Sequence, residues 1–378
     1  MLGLLARRPP RHPIDDIPPE SAPHFTFVVP AHNESSGIEG TVGSLNSVDY
    51  PKGRYSVVVV ADNCSDDTAE RAAVAGARVI TRNDASRRGK GYALELAFQV
   101  LIDEATTDAV VVVDADTDVA SNLLRSAAEK MAQGAKVMQA HYAVRNVDES
   151  WRTRLMDVAF TLYHGVRSHA RERMGVSAGL RGNGMVFTLD TLRSIPYGAY
   201  SLVEDVEYGI ELGLKGIRVA YLGDAEVRAE MVTSGAASES QRKRWEQGRS
   251  QMLRQFLPRL VSRGIAERDW ILLDLACDML VPPLATVAGY TAVGVAGATT
   301  AVATGLAAPL VLAPWILSVA GLSAYVGSGI ALSGRGLAVM ADLVHVPKYV
   351  LWKMTLPIRG RRKSSGEWIR TARKGEVN

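Results

Sequence analysis

Three acidic side chains lie within four positions of the segment SLVEDVEYGI, residues 201–210. Glu204, Asp205 and Glu207 fall on the first turn of a predicted helix. Carboxylates can act there simply as caps, because the positive end of a helix dipole favours negative charge. One of them could instead act as a general base that takes a proton from a reacting hydroxyl group. The ten residues alone leave both interpretations open.

A pair of aspartates follows an apolar run in DAVVVVDAD, residues 108–116. Asp114 and Asp116 are one residue apart at a predicted strand end, where both can reach a divalent cation and the phosphates that it bridges. Mg²⁺ and Mn²⁺ prefer such oxygen ligands. A D-x-D triplet is equally typical of a capped turn with solvated acids, so the triplet alone does not establish a metal site.

Polar side chains also end other apolar runs of the sequence. Asp62 closes YSVVVVAD and is placed to accept hydrogen bonds from a base or ribose, and Asn33 and Glu34 in PAHNES could do the same. Arg88 and Lys90 stand where a helix begins and suit phosphate neutralisation. Ordinary loop polarity explains each residue alone. Their coincidence at three strand ends indicates a ligand site, because open α/β sheets bind ligands beyond the carboxyl ends of their strands.

A basic segment with a tryptophan, QRKRWEQGR, follows at residues 241–249. Gln241, Arg244 and Trp245 have i, i+3 and i+4 spacing and therefore share one helix face. That face could hold a diphosphate through Arg244 and stack a sugar ring on Trp245. A cationic helix with a tryptophan near apolar segments can also be a plain membrane-interface anchor.

Alternating strands and helices must position these groups. The β-branched runs predict buried strands at 25–30, 55–62, 77–81 and 108–116. The intervening segments predict helices near 36–47, 66–76, 89–105 and 121–133. Strands that alternate with helices predict an α/β fold with an open sheet. Further helices are expected near 150–174 and 239–256, with a glycine-rich turn or close ligand approach at SAGLRGNGMVFT.

An uncharged stretch from Met279 to Gly334 predicts about two membrane-spanning helices, because one span needs about 20 apolar residues. Mixed segments at 265–280 and 337–354 predict interfacial helices, and a third span in the second segment is left open. The basic flanks place both ends in the cytoplasm. The buried hairpin of a soluble protein is the alternative for the uncharged stretch.

The chain of 378 residues therefore divides into four predicted parts. They are a Pro-rich tail (1–22), an α/β domain (23–260), interfacial and membrane helices (261–358) and a basic cytoplasmic tail (359–378). The net charge of +3 gives no support for nucleic acid binding. Two distant cysteines, Cys64 and Cys277, match no metal spacing and suit a reducing compartment.

Six motifs occur in an order that resembles the family 2 glycosyltransferases with the GT-A fold. They are PAHNE (30–34), DNCSD (62–66), GKG (89–91), DAD (114–116), ED (204–205) and Q-x-x-R-W (241–245). The chain is most similar to membrane-embedded synthases of cellulose, hyaluronan or poly-N-acetylglucosamine. Two features depart from that pattern: Val203 stands where a threonine is frequent, and the membrane helices are few.

The resemblance implies a role for each motif residue. Ala31, Glu34 and Asp62 would hold uridine with Lys90 nearby, and Asp114 would contact the nucleotide. Asp116 would ligate Mg²⁺ or Mn²⁺, and Asp205 would be the general base. The acceptor and diphosphate region would consist of Glu204, in a mainly structural role, Gln241, Arg244 and Trp245.

The expected protein is a cell-membrane enzyme with several spans and a cytoplasmic catalytic domain. It would transfer a sugar with inversion from a nucleotide-diphosphate donor, expected to be a UDP-sugar, to a glycan or lipid-linked acceptor. Processive polymer synthesis, in which a homo-oligomer could form the channel, and single transfer to a membrane lipid or short glycan both stay open. A non-catalytic nucleotide-binding membrane scaffold is the alternative class. An oxidoreductase is disfavoured, because no G-x-G-x-x-G follows the first strand.

Overall fold

A computed structural model describes residues 21–233 and 235–351, without the side chains of 235–244 and 337. The expected basic tail (359–378) lies outside the described residues, as does the expected N-terminal tail up to residue 20. In the described part, Ala22 is already buried and accepts a hydrogen bond from Nε of Arg54 at 2.7 Å.

The central element is one mixed sheet of eight strands. Its strands are β1 Phe25–Ala31, β2 Tyr55–Asp62, β3 Arg78–Arg82, β4 Ala109–Val112, β5 Thr117–Val119, β6 Val137–Val144, β7 Met185–Thr188 and β8 Val219–Ala229. They are ordered β3-β2-β1-β4-β7-β6-β8-β5. Strands β1 to β4 pair in parallel, whereas β7 runs antiparallel to both β4 and β6. The predicted open mixed sheet is confirmed.

Helices cover both faces of this sheet, which explains its unalternating apolar strands. The helices of the domain are α1 Ile38–Asn46, α2 Thr68–Val74, α3 Lys90–Glu104, α4 Leu123–Ala132, α5 Trp151–Phe160, α6 Arg167–Arg173, α7 Leu189–Ser194 and α8 Glu204–Leu214. Val28 and Val110 face one apolar core with α3 and α8, while Phe27 and Val111 face the other core with α1 and α4.

The helix predicted at 150–174 is interrupted by a π-helical segment, Thr161–Val166, between α5 and α6. Segments of this kind are rare and frequently occur at functional sites. The C-terminal helices are α9 Gly235–Glu267, α10 Trp270–Leu280, α11 Leu284–Ala303, α12 Ala313–Leu332 and α13 Leu337–Asp342. Helix α9 is thus longer than the predicted 239–256, and it packs with α10 on α8 around Phe256 and Leu260.

Two helical segments, Leu284–Ala303 and Pro309–Leu332, are long and apolar enough to cross a membrane. They pack closely, since a Cβ added to Gly294 would lie 2.2 Å from the Trp315 ring. The predicted C-terminal apolar helices are therefore present. Within the described residues no third helix meets the same criterion, and α13 spans only six residues.

The apolar helices are joined to the α/β domain by both packing and charge. A Cβ on Gly329 of α12 would lie 2.5 Å from Cγ of Leu162 in the π-helical segment. Nε of Arg154 donates to Asp342 at 2.6 Å, and Nε of Arg335 donates to Asp157 at 3.3 Å. These contacts fix α12 and α13 against α5.

The close approach of three strands at Gly184 can be tested by adding one methyl group. Gly184 has φ +69°, and its added Cβ would lie 2.8 Å from Val227 and 2.9 Å from Ala140. Gly184→Ala is expected to lower the free energy of unfolding by about 2–4 kcal/mol, combining overpacking with left-handed strain. Chemical unfolding in detergent would measure the loss.

Gly134→Ala is the matched control for this substitution. Gly134 has φ +89°, but an added Cβ meets no atom within 4 Å. Its loss is therefore expected to be only the backbone strain, about 1–2 kcal/mol. Equal losses for the two variants would contradict tight packing of Gly184 against β6 and β8.

Candidate active site

The two aspartates that follow β4 are held in place by Asn183, a fully buried residue from the glycine-rich loop before β7. Oδ1 of Asn183 accepts from the backbone N–H of Asp114 at 3.1 Å, and its Nδ2 donates to Oγ1 of Thr117 at 2.8 Å. Asn183 therefore bridges both ends of the segment that carries Asp114 and Asp116. The backbone of this turn is therefore held by hydrogen bonds to a buried side chain.

Lys90 brings together the start of α3, the DAD segment and α8. Its Nζ donates to Oδ1 of Asp114 and to the carbonyl oxygen of Gly182 at 2.5 Å, and it lies 4.0 Å from Oε1 of Glu204. Burial disfavours the charge of Lys90, but the carboxylates of Asp114 and Glu204 outweigh it and raise the pKa of Lys90. The lysine is thus a buried, permanently charged ammonium group.

Glu204 and Asp205 open helix α8 beside this ammonium group. Burial raises the pKa of Glu204 to about 7; Lys90 opposes this shift and Asp205 adds to it. Burial also raises the pKa of Asp205, although a hydrogen bond from the backbone of Val206 and the charge of Lys90 act against it. A carboxylate with a raised pKa in a closed site is suited to proton transfer near neutral pH.

Gly182 is the residue that lets these groups approach one another. It has φ +79°, and an added Cβ would lie 3.5 Å from Oδ2 of Asp205 and 3.7 Å from Nζ of Lys90. Any side chain at this position would enter the space between the carboxylate of Asp205 and the ammonium group of Lys90. The segment RGNG was expected only as a turn or close ligand approach, whereas the structure makes it one wall of the site.

The predicted nucleotide residues lie on the neighbouring strand ends. Ala31 and Asp62 end β1 and β2, and the backbone N–H of Glu34 donates to Oγ1 of Thr68 at 2.8 Å. The carboxylate of Asp62 already accepts a hydrogen bond from Nη1 of Arg82 at 2.7 Å. Arg82 was not foreseen, because the predicted strand ends at residue 81 and only Arg88 and Lys90 were singled out in the polar segment that follows it.

The Q-x-x-R-W motif lies on α9, which packs directly against the start of α8. A Cβ on Gly248 would lie 2.7 Å from Cγ1 of Val203, the residue before Glu204. Trp245 is 40% exposed. The side chains of Gln241 and Arg244 lie outside the described residues. The structure therefore brings together Lys90, Asp114, Glu204 and Asp205, and the roles of the motif residues on α9 stay predictions.

The donor set for a divalent cation consists of carboxylates at one strand end. Among the residues that the structure describes, no group of three His, Cys, Asp or Glu side chains forms a preformed metal cage. Mg²⁺ is usually bound by one or two carboxylates plus substrate phosphates, so Asp114 and Asp116 fit a cation that arrives with a diphosphate. Since Lys90 holds Asp114, Asp116 is the better candidate for direct ligation.

Tyr142 of β6 closes the same region and was not anticipated. Burial raises the pKa of Tyr142 well above its ordinary value, and the charges of Asp114 and Asp116 add to this increase. A side-chain hydrogen bond with Asn183 acts to lower the same pKa. The residue therefore stays a neutral phenol. No motif of the sequence pointed to it, because β6 reaches this region only through its pairing with β7 and β8.

The chain matches the family model described as "Glycosyltransferase like family 2" over residues 22–248. The chain therefore belongs to the family 2 glycosyltransferases. The predicted family and GT-A fold class are confirmed.

Curated relatives are distant but cover much of the chain. It is 26% identical over 297 residues to the beta-monoglucosyldiacylglycerol synthase of Trichormus variabilis, covering 76% of this chain and 61% of the relative. It is 25% identical to glucomannan 4-beta-mannosyltransferase 1 of Oryza sativa subsp. japonica, covering 68% and 53%. The chain thus spans about half to three fifths of the length of these relatives.

Among solved structures, the mannosyltransferase PcManGT from Pyrobaculum calidifontis, in complex with GDP-Man and Mn²⁺, has a TM-score of 0.46 with this chain. The two are 17% identical, and the match covers 89% of each chain. Glucosyl-3-phosphoglycerate synthase from Mycobacterium tuberculosis has a TM-score of 0.40, with 22% identity over 59% of this chain and 76% of the other.

Replacing Asn183 tests whether it positions the DAD segment. Asn183→Ala removes both hydrogen bonds that hold Asp114 and Thr117 and is expected to lower kcat/KM for the sugar donor by about 100-fold. Steady-state kinetics over a range of donor concentrations would measure this loss. Asn122→Ala is the control, since Asn122 makes a similar hydrogen bond to the carbonyl of Asp224 at 2.9 Å on the domain surface.

The charge of Lys90 beside Asp205 predicts a shift in pH dependence. Burial raises the pKa of Asp205, and the charge of Lys90 acts against that increase. A side chain that must be ionised to accept a proton loses activity as the pH falls through its pKa. Lys90→Gln should therefore raise the pKa of Asp205 further and move the acid limb of kcat/KM to higher pH. Lys130→Gln, whose lysine pairs with Glu172, is expected to leave the limb in place. An unshifted limb in Lys90→Gln would show that another group controls it.

Proposed function

We propose that this protein is a membrane-anchored, metal-dependent glycosyltransferase that inverts the configuration of the transferred sugar. The donor is a nucleoside-diphosphate sugar, with uridine as the base, and the product carries a β-linkage. One observation carries the proposal: Asp205 stands beside the ammonium group of Lys90, which also holds the first aspartate of the DAD segment. Base and diphosphate site are thus adjacent.

The reaction is a direct displacement at the anomeric carbon. An acceptor hydroxyl oxygen forms the new bond to that carbon while Asp205 takes the hydroxyl proton. The bond between the anomeric carbon and the diphosphate oxygen breaks, and the nucleoside diphosphate leaves with the electron pair. Lys90 neutralises charge on the departing diphosphate, and Asn183 keeps the DAD segment rigid during the displacement.

A divalent cation fits the donor set but has few protein ligands. Asp116 would hold Mg²⁺ or Mn²⁺, with Asp114 at its side, and the cation would supply charge neutralisation on the leaving diphosphate. Binding of the cation should therefore depend on the nucleotide. Gln241, Arg244 and Trp245 on α9 are proposed to contact the diphosphate and the acceptor, and Glu204 to line that region.

The relatives' names support the β-linkage and two classes of acceptor. One is a beta-monoglucosyldiacylglycerol synthase and the other a glucomannan 4-beta-mannosyltransferase. The apolar segments Leu284–Ala303 and Pro309–Leu332 support a membrane anchor with the catalytic domain in the cytoplasm. We favour a single transfer to a lipid-borne acceptor over processive synthesis, in line with the lipid product in the name of the first of these relatives.

A donor screen with active-site variants tests this function. The full chain, purified in detergent, is incubated with Mg²⁺ or Mn²⁺, lipid extract and a panel of nucleotide sugars, and nucleotide release is measured. Asp205→Asn and Asp116→Asn are each expected to lower release by at least about 1000-fold, because each removes a group required in the transition state. Chelation of the cation should have a similar effect in the wild type.

Asp118→Asn is the matched control, two residues beyond Asp116. Asp118 is partly exposed and pairs with Nη1 of Arg145 at 3.2 Å, away from the base. Its nucleotide release should match that of the wild type. Nucleotide turnover that survives both active-site substitutions would overturn the mechanism. Binding of nucleotide without release under any condition would favour the non-catalytic scaffold.

A further inference from the structure

An aromatic and cationic cluster lies between the active-site loop and the apolar helices, and none of its members has a role in the mechanism above. Tyr163 belongs to the π-helical segment Thr161–Val166. The guanidinium carbons of Arg167 and Arg181 each lie 4.6 Å from the centroid of its ring. These three residues are called the Arg–Tyr–Arg cluster below.

Both arginines of the cluster hold hydrogen-bond donors that the described residues leave unpaired. They are Nη1 of Arg167 and Nε of Arg181, each buried in the protein. Unpaired buried donors are costly, about 1–3 kcal/mol each and more when charged, so they are rare without a functional cause. The ring of Tyr163 is the exposed member of the cluster, 44% accessible to solvent. A rotation of that side chain would uncover both guanidinium groups.

Arg181 is the arginine of this region that forms no ion pair with a described residue. Arg167 pairs with Asp278, while Arg171 pairs with Asp274 and lies 3.4 Å from Asp278. The side chain of Arg181 donates to the backbone carbonyls of residues 178 and 180, and its charge acts on the carboxylates of Asp205 and Asp278 only at longer range. The neighbouring His164 adds no charge, because burial lowers its pKa well below the ordinary value.

The cluster connects two regions that an amphiphilic molecule would have to reach together. On one side, Arg181 directly precedes Gly182, and the positive charge of Arg181 acts on the carboxylate of Asp205. On the other side, Leu162 of the π-helical segment packs against Gly329 of α12. The cluster therefore lies between α12 and the loop next to Asp205.

We propose that the Arg–Tyr–Arg cluster binds the phosphodiester head group of an amphiphilic acceptor. Its two unpaired donors, together with the guanidinium group of Arg181 that has no ion-pair partner among the described residues, recognise anionic oxygens, for which the planar guanidinium group is well suited. The acyl chains lie along α12, and a free hydroxyl beyond the phosphodiester reaches Asp205. The inference names the acceptor class for the transferase activity proposed above and rests on that activity.

Lipid binding to the full chain tests the site without any need for turnover. The probes are dioctanoyl phosphatidylglycerol and dioctanoylglycerol, which share the same acyl chains and differ in the phosphoglycerol group. Affinities are measured by native mass spectrometry from micelles of an uncharged detergent. The wild type is expected to prefer the phospholipid by about tenfold or more, as charge-assisted hydrogen bonds predict.

Two variants and one control locate the preference. Arg167→Gln and Arg181→Gln should each remove most of the preference. Arg152→Gln should retain it, since Arg152 stacks on Trp151 at 4.3 Å in a similar contact at the start of α5. Tyr163→Ala removes the ring that covers the two guanidinium groups but leaves both arginines in place. This variant should keep the preference for the phospholipid even if an arginine variant fails to fold.

The outcomes separate this inference from the transferase function. Equal affinity of the wild type for both lipids, loss of preference in Tyr163→Ala, or preference retained in both arginine variants overturns the head-group site. Nucleotide release in the donor screen is a separate measurement. If the lipid preference follows the arginines while no donor supports release, the site stands and the transferase proposal fails. If release occurs with dioctanoylglycerol but not with the phospholipid, the acceptor class proposed here is wrong.

Discussion

The buried ammonium group of Lys90 is the interaction on which the site depends. A single buried charge is costly unless it is paired, and three carboxylates on two different elements surround this one. Asp114 follows β4, whereas Glu204 and Asp205 open α8, so the ion pairs also fix the distance between sheet and helix. Without the lysine, the neighbouring carboxylates would repel one another.

This arrangement prepares the site for an anionic ligand in addition to its own carboxylates. A diphosphate that enters beside Lys90 competes with Asp114 for the same cation, and a metal ion that accompanies it restores the charge balance. The raised pKa of Asp205 follows from the same burial that makes Lys90 effective. The loop with Arg181 and Gly182 links this charge balance to the apolar helices. The proposed donor, base and acceptor sites therefore share one short loop.

Much of the fold could be predicted from local patterns, and the reasons are physical. The β-branched runs of β1, β2 and β4 are buried on both faces, so they show no alternation and are recognisable as core strands. The residues after them, such as Asp62 and Asp114, project from one edge of the sheet whatever the later chain does. Helix α9 was predicted too short, because its polar face extends beyond the basic segment that identified it.

The sequence by itself determined the family, the strand ends and the base candidate, because each depends on motifs within a few residues of one another. Only the tertiary structure decided which distant groups meet. Asn183 reaches the DAD segment through the pairing of β4 with the distant strand β7, and Arg82 reaches Asp62 through the register of β2 with β3. The Arg–Tyr–Arg cluster arises in the same way, from a π-helical segment against a glycine-rich loop. Contacts of this kind depend on packing, and no local pattern encodes them.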